Sequence, residues 1–265
     1  AAALEPTVAE LADYVKAQNV HIDETGWREN KRRAMLWTVV APVVSVFHIA
    51  ASRAAGVAKQ LLGEAFSMTA MCDRYKGYLW IRNSQLCWAH LRRDFQAMID
   101  RGGVAEPIGE ELLALSTAVF DWWHQVRDGT IPRKAFQHHL RYLRDETRAQ
   151  LELGAECGCA KTAGVCRDIL GREAQLWTFA HTPGVEPTNN VAERTLRHAV
   201  IWRRSSFGTD SAAGSRFVER ILSVVATCRQ QHKNVLDLLT QAIIAHRNGQ
   251  PAPSLLPDAN HANAA

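Results

Sequence analysis

Three acidic residues stand in settings where they could do chemistry together: Asp23 in NVHIDETGW, Asp73 in SMTAMCDRY and Glu193 in PTNNVAERTLR. The first two sit where an apolar or β-branched run stops, and the third sits one turn into a helix far away in the sequence. A hard divalent cation such as Mg²⁺ takes oxygen ligands and keeps several waters. A few carboxylates from separate elements therefore suffice, with substrate phosphates completing the shell. The chemistry implied is phosphoryl transfer. Each acid also has a purely structural reading. Asp23 and Asp73 could shape turns, while Asn190 followed by Glu193 is close to a capping box and Glu193 with Arg197 is an i,i+4 ion pair.

Those acids must be held by a folded scaffold, and the composition allows one. The chain has 265 residues, of which 47% are hydrophobic, enough to bury a core in one large or two small domains. The net charge of +4 is unevenly spread. Between Asn190 and Gln250 lie nine basic residues against four acids, a cationic stretch that would attract a polyanion or serve as a solvated face. The six cysteines are irregularly spaced, and Cys72 and Cys228 fall inside apolar patterns, which argues against a disulfide framework and fits a reducing cytosol. No apolar run approaches the ~20 residues needed to cross a bilayer, so no membrane partner is expected. The chain opens AAALEP without methionine or a signal-peptide pattern, as a fragment would.

The elements read as follows. NVHID is a short strand, and AMLWTVVAP and VVSVFHIAAS form a hairpin pair about Pro42. ASRAAGVAKQLLGEAF is a helix with Val57, Leu61, Leu62 and Phe66 on one face. It leads to the buried strand SMTAMCD, a strand–helix–strand step that favours parallel neighbours. SQLCWAH reads as a fifth strand feeding the helix LRRDFQAMID. From Arg101 to Ala180 strand signals vanish and helical stripes replace them, including Leu112, Leu115, Val119, Trp122, Trp123 and Val126. Asn190 reads as the cap of VAERTLRHAVIWRR. SAAGSRFVERILSVVATCRQQ then places Phe217, Ile221, Val224 and Cys228 on one face, and VLDLLTQAIIAHR is the last helix.

Taken in order, HIDETGWREN, AMLWTVV, the Ser-Arg of AASRAAG, MCDRYKGY, CWAHLRRDF and TNNVAERTLR resemble the catalytic domain of transposases of the insertion sequence 66 family over most of residues 17–248. The resemblance implies an α/β, ribonuclease-H-like fold. Its mixed five-stranded sheet would be flanked by helices, with an all-α insertion before the last catalytic helix. Residues 17–96 would begin the catalytic domain, 97–180 would be the insertion, 181–248 would complete the domain, and 249–265 would be a disordered tail. It also implies a DDE triad on Asp23, Asp73 and Glu193, holding two Mg²⁺ ions (or Mn²⁺) about 4 Å apart and bridged by Asp23. In DRYKGY an arginine replaces the more usual glycine after the second acid. The zinc-finger and helical N-terminal regions implied for full-length relatives do not appear, so end-specific DNA recognition is not expected of this chain.

The implied reaction cuts double-stranded DNA at transposon ends and joins them to a target. It would be carried out by a homo-oligomer on DNA, with accessory transposition proteins as further partners, in the cytoplasm and on the nucleoid. Arg194, Arg197, Arg203 and Arg204 follow the third acid where phosphates would lie, and His90 in CWAHLRRDF could orient DNA or a carboxylate. Cys157, Cys159, Cys166 and His181 do not match a standard zinc spacing. Trp122, Trp123 and Trp202 read as core more readily than as base-stacking residues. Two rival readings share these features: a ribonuclease-H-like nuclease that cuts without joining, and an inactive DNA-binding remnant of a transposase.

Overall fold

The computed structural model describes residues 1–257. The chain divides into two compact units, Ala1–Ser84 with the described residues from Asn189 onward, and Gln85–Thr188.

The five-stranded sheet has the order β3-β2-β1-β4-β5, formed by β1 (Val20–Glu29), β2 (Arg32–Val40), β3 (Ser45–Ala50), β4 (Ala70–Cys72) and β5 (Ser84–Leu86). β1, β2 and β3 are an antiparallel meander, whereas β4 lies parallel to β1, with the helix α2 (Ala55–Leu62) in the crossover. This is a mixed sheet in an α/β protein. β1 is ten residues long, twice the expected NVHID, because ETGWRE pairs in register with RRAMLW. The turn between them is the residue pair Asn30–Lys31, both left-handed (φ 47° and 62°), a geometry whose twist matches that of the flanking strands. SQLCWAH yields only the three-residue β5, since helix α3 (Trp88–Ile99) already begins at its tryptophan.

Alternation along the strands sends apolar side chains to both faces. Trp27, Leu36, Phe47 and Ile49 pack with Leu196 and Ala199 of α8 (Asn190–Ser206) and with Val218 and Leu222 of α9 (Ala212–Gln230). On the opposite face Val20, Ile22, Trp37 and Val39 pack with Leu11 of α1 (Glu5–Tyr14), Leu62 of α2 and Leu238 of α10 (Val235–Arg247).

An edge strand leaves backbone donors exposed to stray pairing. In β3 these are taken by α9: Ile49 N–H donates to Glu219 Oε1 (2.6 Å), Phe47 N–H to Ser223 Oγ (2.9 Å) and Ser45 N–H to Thr227 Oγ1 (3.0 Å). The fit is periodic, because two strand residues and four helix residues each advance about 6 to 7 Å. The buried face of α9 is correspondingly wider than the one expected. Val224 and Cys228 are buried as expected and Ile221 packs against the core, but Val218, Leu222 and Ser223 are buried too, while Phe217 is half-exposed.

The expected disordered tail is a further correction over residues 249–257. Leu255 is fully buried, its carbonyl accepts from Gln231 Nε2 (2.7 Å), and Thr7 Oγ1 donates to Pro253 O (2.8 Å). The remainder, 258–265, lies outside the described residues.

In the second unit, α3, α4 (Glu106–Arg127), α5 (Arg133–Glu156), α6 (Ala160–Leu170) and α7 (Thr178–His181) surround an aromatic core. Trp123 packs on Phe136 and Phe179, and Trp88 lies against Trp177 and donates to Leu176 O (2.8 Å). Gly109 lets α4 approach α3 closely, since a Cβ there would meet Phe95 O at 2.7 Å. Cys166 is a core residue seated against Gly154.

Candidate active site on the central strand

Asp23 lies within β1 opposite Thr38 of β2, not at a strand end as the short NVHID reading placed it. The two-residue period puts His21, Asp23, Thr25 and Trp27 on one face, and α8 is fastened to that face at both ends. At its start, Asn189 donates through Nδ2 to Ile22 O (2.8 Å) and sets Oδ1 3.1 Å from His21 Nδ1. Asn189 is 1% exposed and occupies the cap position, with its side chain spent on the strand. The expected side-chain cap at Asn190 is absent, because α8 begins at that residue. Near the other end Arg203 donates to Thr25 Oγ1 (3.3 Å) and Gly26 O. Glu193, whose N–H donates to Asn189 O (3.3 Å), is thereby held one turn from the anchor.

Asp73 follows β4. The β1–β4 register pairs Val20 with Ala70 and His21 with Met71 and ends two residues before Asp73, whose charge acts on Asp23. One Asp73 oxygen accepts from Tyr75 N–H (2.8 Å), which shapes the loop. The three acids therefore come from the central strand, from the end of its parallel neighbour and from the first turn of a helix packed across it.

Their proximity is felt electrostatically. Burial, first, raises the Asp23 carboxyl from its ordinary 3.8 to about 7. The N–H of Glu24, 2.8 Å from Oδ1, opposes this, and the charges of Glu24, Asp73 and Glu193 reinforce it. His21 moves the other way, to about 4, chiefly because burial disfavours the imidazolium. Among the described residues no group of three or more His, Cys, Asp or Glu is disposed to hold a metal ion. Asp73 and Glu193 thus act electrostatically on Asp23 without the three being disposed as a metal site, and among the described residues the cysteines around Cys157 form no such group either.

Glu24, next to Asp23, is a second buried acid with no role expected from the sequence. Glu24 points to the opposite strand face, where its carboxylate accepts from Arg53 Nε and Tyr78 Oη, and its side chain is 1% exposed. Burial lifts its carboxyl above the usual range against the pull of Tyr78 and Arg53. Arg53 also lies 3.7 Å over the Tyr75 ring, stands 3.9 Å from Asp73 Oδ2, and accepts from Tyr75 Oη at its carbonyl (2.6 Å). Gly77 is required beneath this ring, since a Cβ there would meet Tyr75 at 2.3 Å. The loop DRYKGY is therefore a clamp on Arg53. The signals for it were the adjacent acids of HIDET, the arginine of AASRAAG and the tyrosines of DRYKGY.

Of the expected DNA-contacting residues, Arg194, Arg197 and Arg204 are exposed on α8, while Arg203 is engaged with β1. His90 lies on α3 in the second unit, with Nε2 3.4 Å from Arg93 Nη1.

A mixed sheet with carboxylates on and near its central strand, beside a helix rich in arginine, defines an α/β protein with a candidate active site. The description "Transposase IS66 family" matches residues 1–216, and the chain belongs to that family. It is also similar to a protein of Sinorhizobium fredii described as "Uncharacterized protein y4qI", with 27% identity over 221 residues. That alignment covers 75% of this chain and 39% of the relative, so the chain spans about two fifths of that protein's length. No solved structure matches the chain. No helix among the described residues is long and apolar enough to cross a membrane.

Proposed function

We propose that this chain is the catalytic part of a DDE transposase with a ribonuclease-H-like fold, cutting DNA at transposon ends and joining the ends to target DNA. The observation that supports the reading is the half-buried Asp23 carboxyl on the central strand, raised chiefly by burial and further by the nearby charges of Glu24, Asp73 and Glu193, the last two brought from other elements.

The donor set fits a divalent metal, since it consists of hard carboxylate oxygens whose mutual repulsion a cation would relieve. Asp23, Asp73 and Glu193 would hold Mg²⁺ or Mn²⁺, which when bound supplies charge stabilisation to an in-line displacement at phosphorus. The chain's own residues do the rest. Asp23 holds a proton below about pH 7 and must release it to act as a ligand. Asn189 and Arg203 fasten α8 to β1, and in this reading that keeps Glu193 near Asp23. Arg194, Arg197 and Arg204 are free to meet phosphates, which positions the strand without reading bases. Arg203 stays bonded to β1, and His90 is in this reading a DNA contact of the second unit by itself. Assembly as an oligomer on paired ends, with accessory proteins, belongs to this same reading.

The test is a cleavage and joining assay on DNA carrying paired element ends. Asp23→Asn, Asp73→Asn and Glu193→Gln should each abolish cleavage while leaving DNA binding intact, and Mg²⁺ or Mn²⁺ should be required. A variant that keeps near-normal cleavage removes that residue from the mechanism. Cleavage without joining would reduce the protein to a nuclease.

A further inference from the structure

Beside the β1–β2 turn lies a cleft of about 660 Å³ lined by Gly26, Trp27, Arg28, Lys31, Arg33, Arg203 and Phe207, all in the first unit. Arg28, Lys31 and Arg33 are exposed and crowd the tip of the hairpin, and no acid lines the cleft. The floor is rigid. Trp27 is buried and its Nε1 donates to Thr209 Oγ1 (3.3 Å), while Arg203 is tied to Thr25 and Gly26.

Phe207 is the unusual member of this lining. Its side chain is 78% exposed, the highest value among the large apolar residues that reach solvent. It ends α8 in the left-handed conformation (φ 57°), a place where glycine or asparagine is preferred and a bulky residue is strained. The backbone on either side leaves it no choice. Phe207 N–H donates to Arg203 O (2.8 Å), Thr209 N–H to Arg28 O (2.9 Å), and Asn30 N–H to Thr209 O (2.7 Å). Gly208 (φ 115°) passes so close that a Cβ would stand 2.3 Å from Arg28 O. A large apolar ring is thus held in solvent by a docked, hydrogen-bonded segment, next to three exposed cations.

Cations that track a phosphate backbone, combined with an aromatic face that accepts any base, are the physical requirements of a single-stranded nucleic-acid site. We infer that this cleft binds an unpaired stretch of DNA, with Phe207 stacking on one exposed base and Arg28, Lys31 and Arg33 holding the flanking phosphates. The inference rests on the proposed DNA substrate and adds a subsite for a strand end opened from its duplex. An aromatic stacking face offers nothing to the interior of an intact duplex, whose bases are already stacked, and an acidic protein segment would leave the ring unused.

The experiment measures binding in EDTA, so that it is independent of cleavage. Fluorescence anisotropy compares the full chain on blunt duplex DNA and on the same duplex carrying a short single-stranded extension with 2-aminopurine in it. The extended duplex should bind on the order of tenfold more tightly than the blunt one and quench the 2-aminopurine. Phe207→Ala should erase both the preference and the quenching while leaving blunt-duplex binding unchanged, and Phe207→Trp should retain both. The combined Arg28→Ala, Lys31→Ala, Arg33→Ala variant should lower the salt slope on the extended duplex by about two. Equal affinity of the wild type for blunt and extended DNA, or an unchanged preference in Phe207→Ala, overturns the inference. Failure of the catalytic reading appears instead as cleavage surviving Asp23→Asn, which leaves these binding readouts untouched.

Discussion

Replacing Asp23 by Asn should stabilise the metal-free protein by an amount that grows with pH. The Asp23 carboxyl is raised from 3.8 to about 7, chiefly by burial. Between those values the unfolded chain has lost a proton that the folded chain keeps. Folding stability therefore falls as pH rises through the window and levels off above it. At about 1.4 kcal/mol per pH unit, the deficit is roughly 1.5 kcal/mol near pH 5 and roughly 4 kcal/mol near pH 8. Asn retains an acceptor for the Glu24 N–H now 2.8 Å from Oδ1, so the substitution removes the charge without orphaning that donor.

His21 complicates the wild-type profile. Its imidazole is lowered from 6.5 to about 4, so its stabilising contribution is present above 6.5 and lost as pH falls toward 4. The two slopes oppose each other over most of that range, and only the difference between Asp23→Asn and wild type isolates the aspartate. Urea denaturation in EDTA across a pH series measures it. A thermal melt near pH 8 should show the variant roughly 10 °C higher. Millimolar Mg²⁺ should narrow the gap by stabilising the wild type alone. A difference that stays constant with pH, or remains below about 1 kcal/mol near pH 8, would refute the reasoning.

Three further outcomes follow from the same geometry. Asn189→Ala should lose turnover far more than DNA affinity, because it releases the start of α8 and with it Glu193. Single-turnover rates at saturating DNA decide this, and an unchanged rate would sink the anchoring role. Arg53→Ala should cost on the order of 3 kcal/mol by leaving the buried Glu24 carboxylate uncompensated, and Glu24→Gln in the same chain should recover much of it. Ser223→Ala should cost about 1 to 3 kcal/mol and speed hydrogen exchange at the Phe47 amide, whose acceptor it removes; unaltered exchange would show that α9 does not protect that edge.

The helices were the most legible part of the chain, since a 3.6-residue stripe such as Leu112, Leu115 and Val119 repeats within a few residues and needs no partner to be recognised. The apolar runs at β2, β3 and β4 were legible for the same reason. The second half of β1 was not. ETGWRE carries no apolar alternation of its own and becomes a strand only by pairing with β2 through the Asn30–Lys31 turn. The same blindness hid the tail, where Leu255 and Leu256 form a short apolar pair among prolines with no period to read until Gln231 meets the Leu255 carbonyl.

At the candidate site the sequence by itself determined the residue types: three separated carboxylates, a basic helix and a run of motifs in family order. Only the tertiary structure decided their neighbours. The parallel pairing of β4 with β1 brings the charge of Asp73 to bear on Asp23, and Asn189, which as one of two adjacent asparagines carried no signal of its own, fastens Glu193's helix to the strand. Glu24, one residue from Asp23, goes to the opposite face and is neutralised by Arg53, because successive strand residues alternate sides. Arg203 and Arg204, adjacent in sequence and alike in chemistry, part for an equivalent reason. The helix turns about 100° between them, which aims one at the backbone of β1 and the other at solvent. Chemical type is a local property of the chain, whereas burial and charge proximity, which set the Asp23 carboxyl near neutrality, exist only once distant segments have packed.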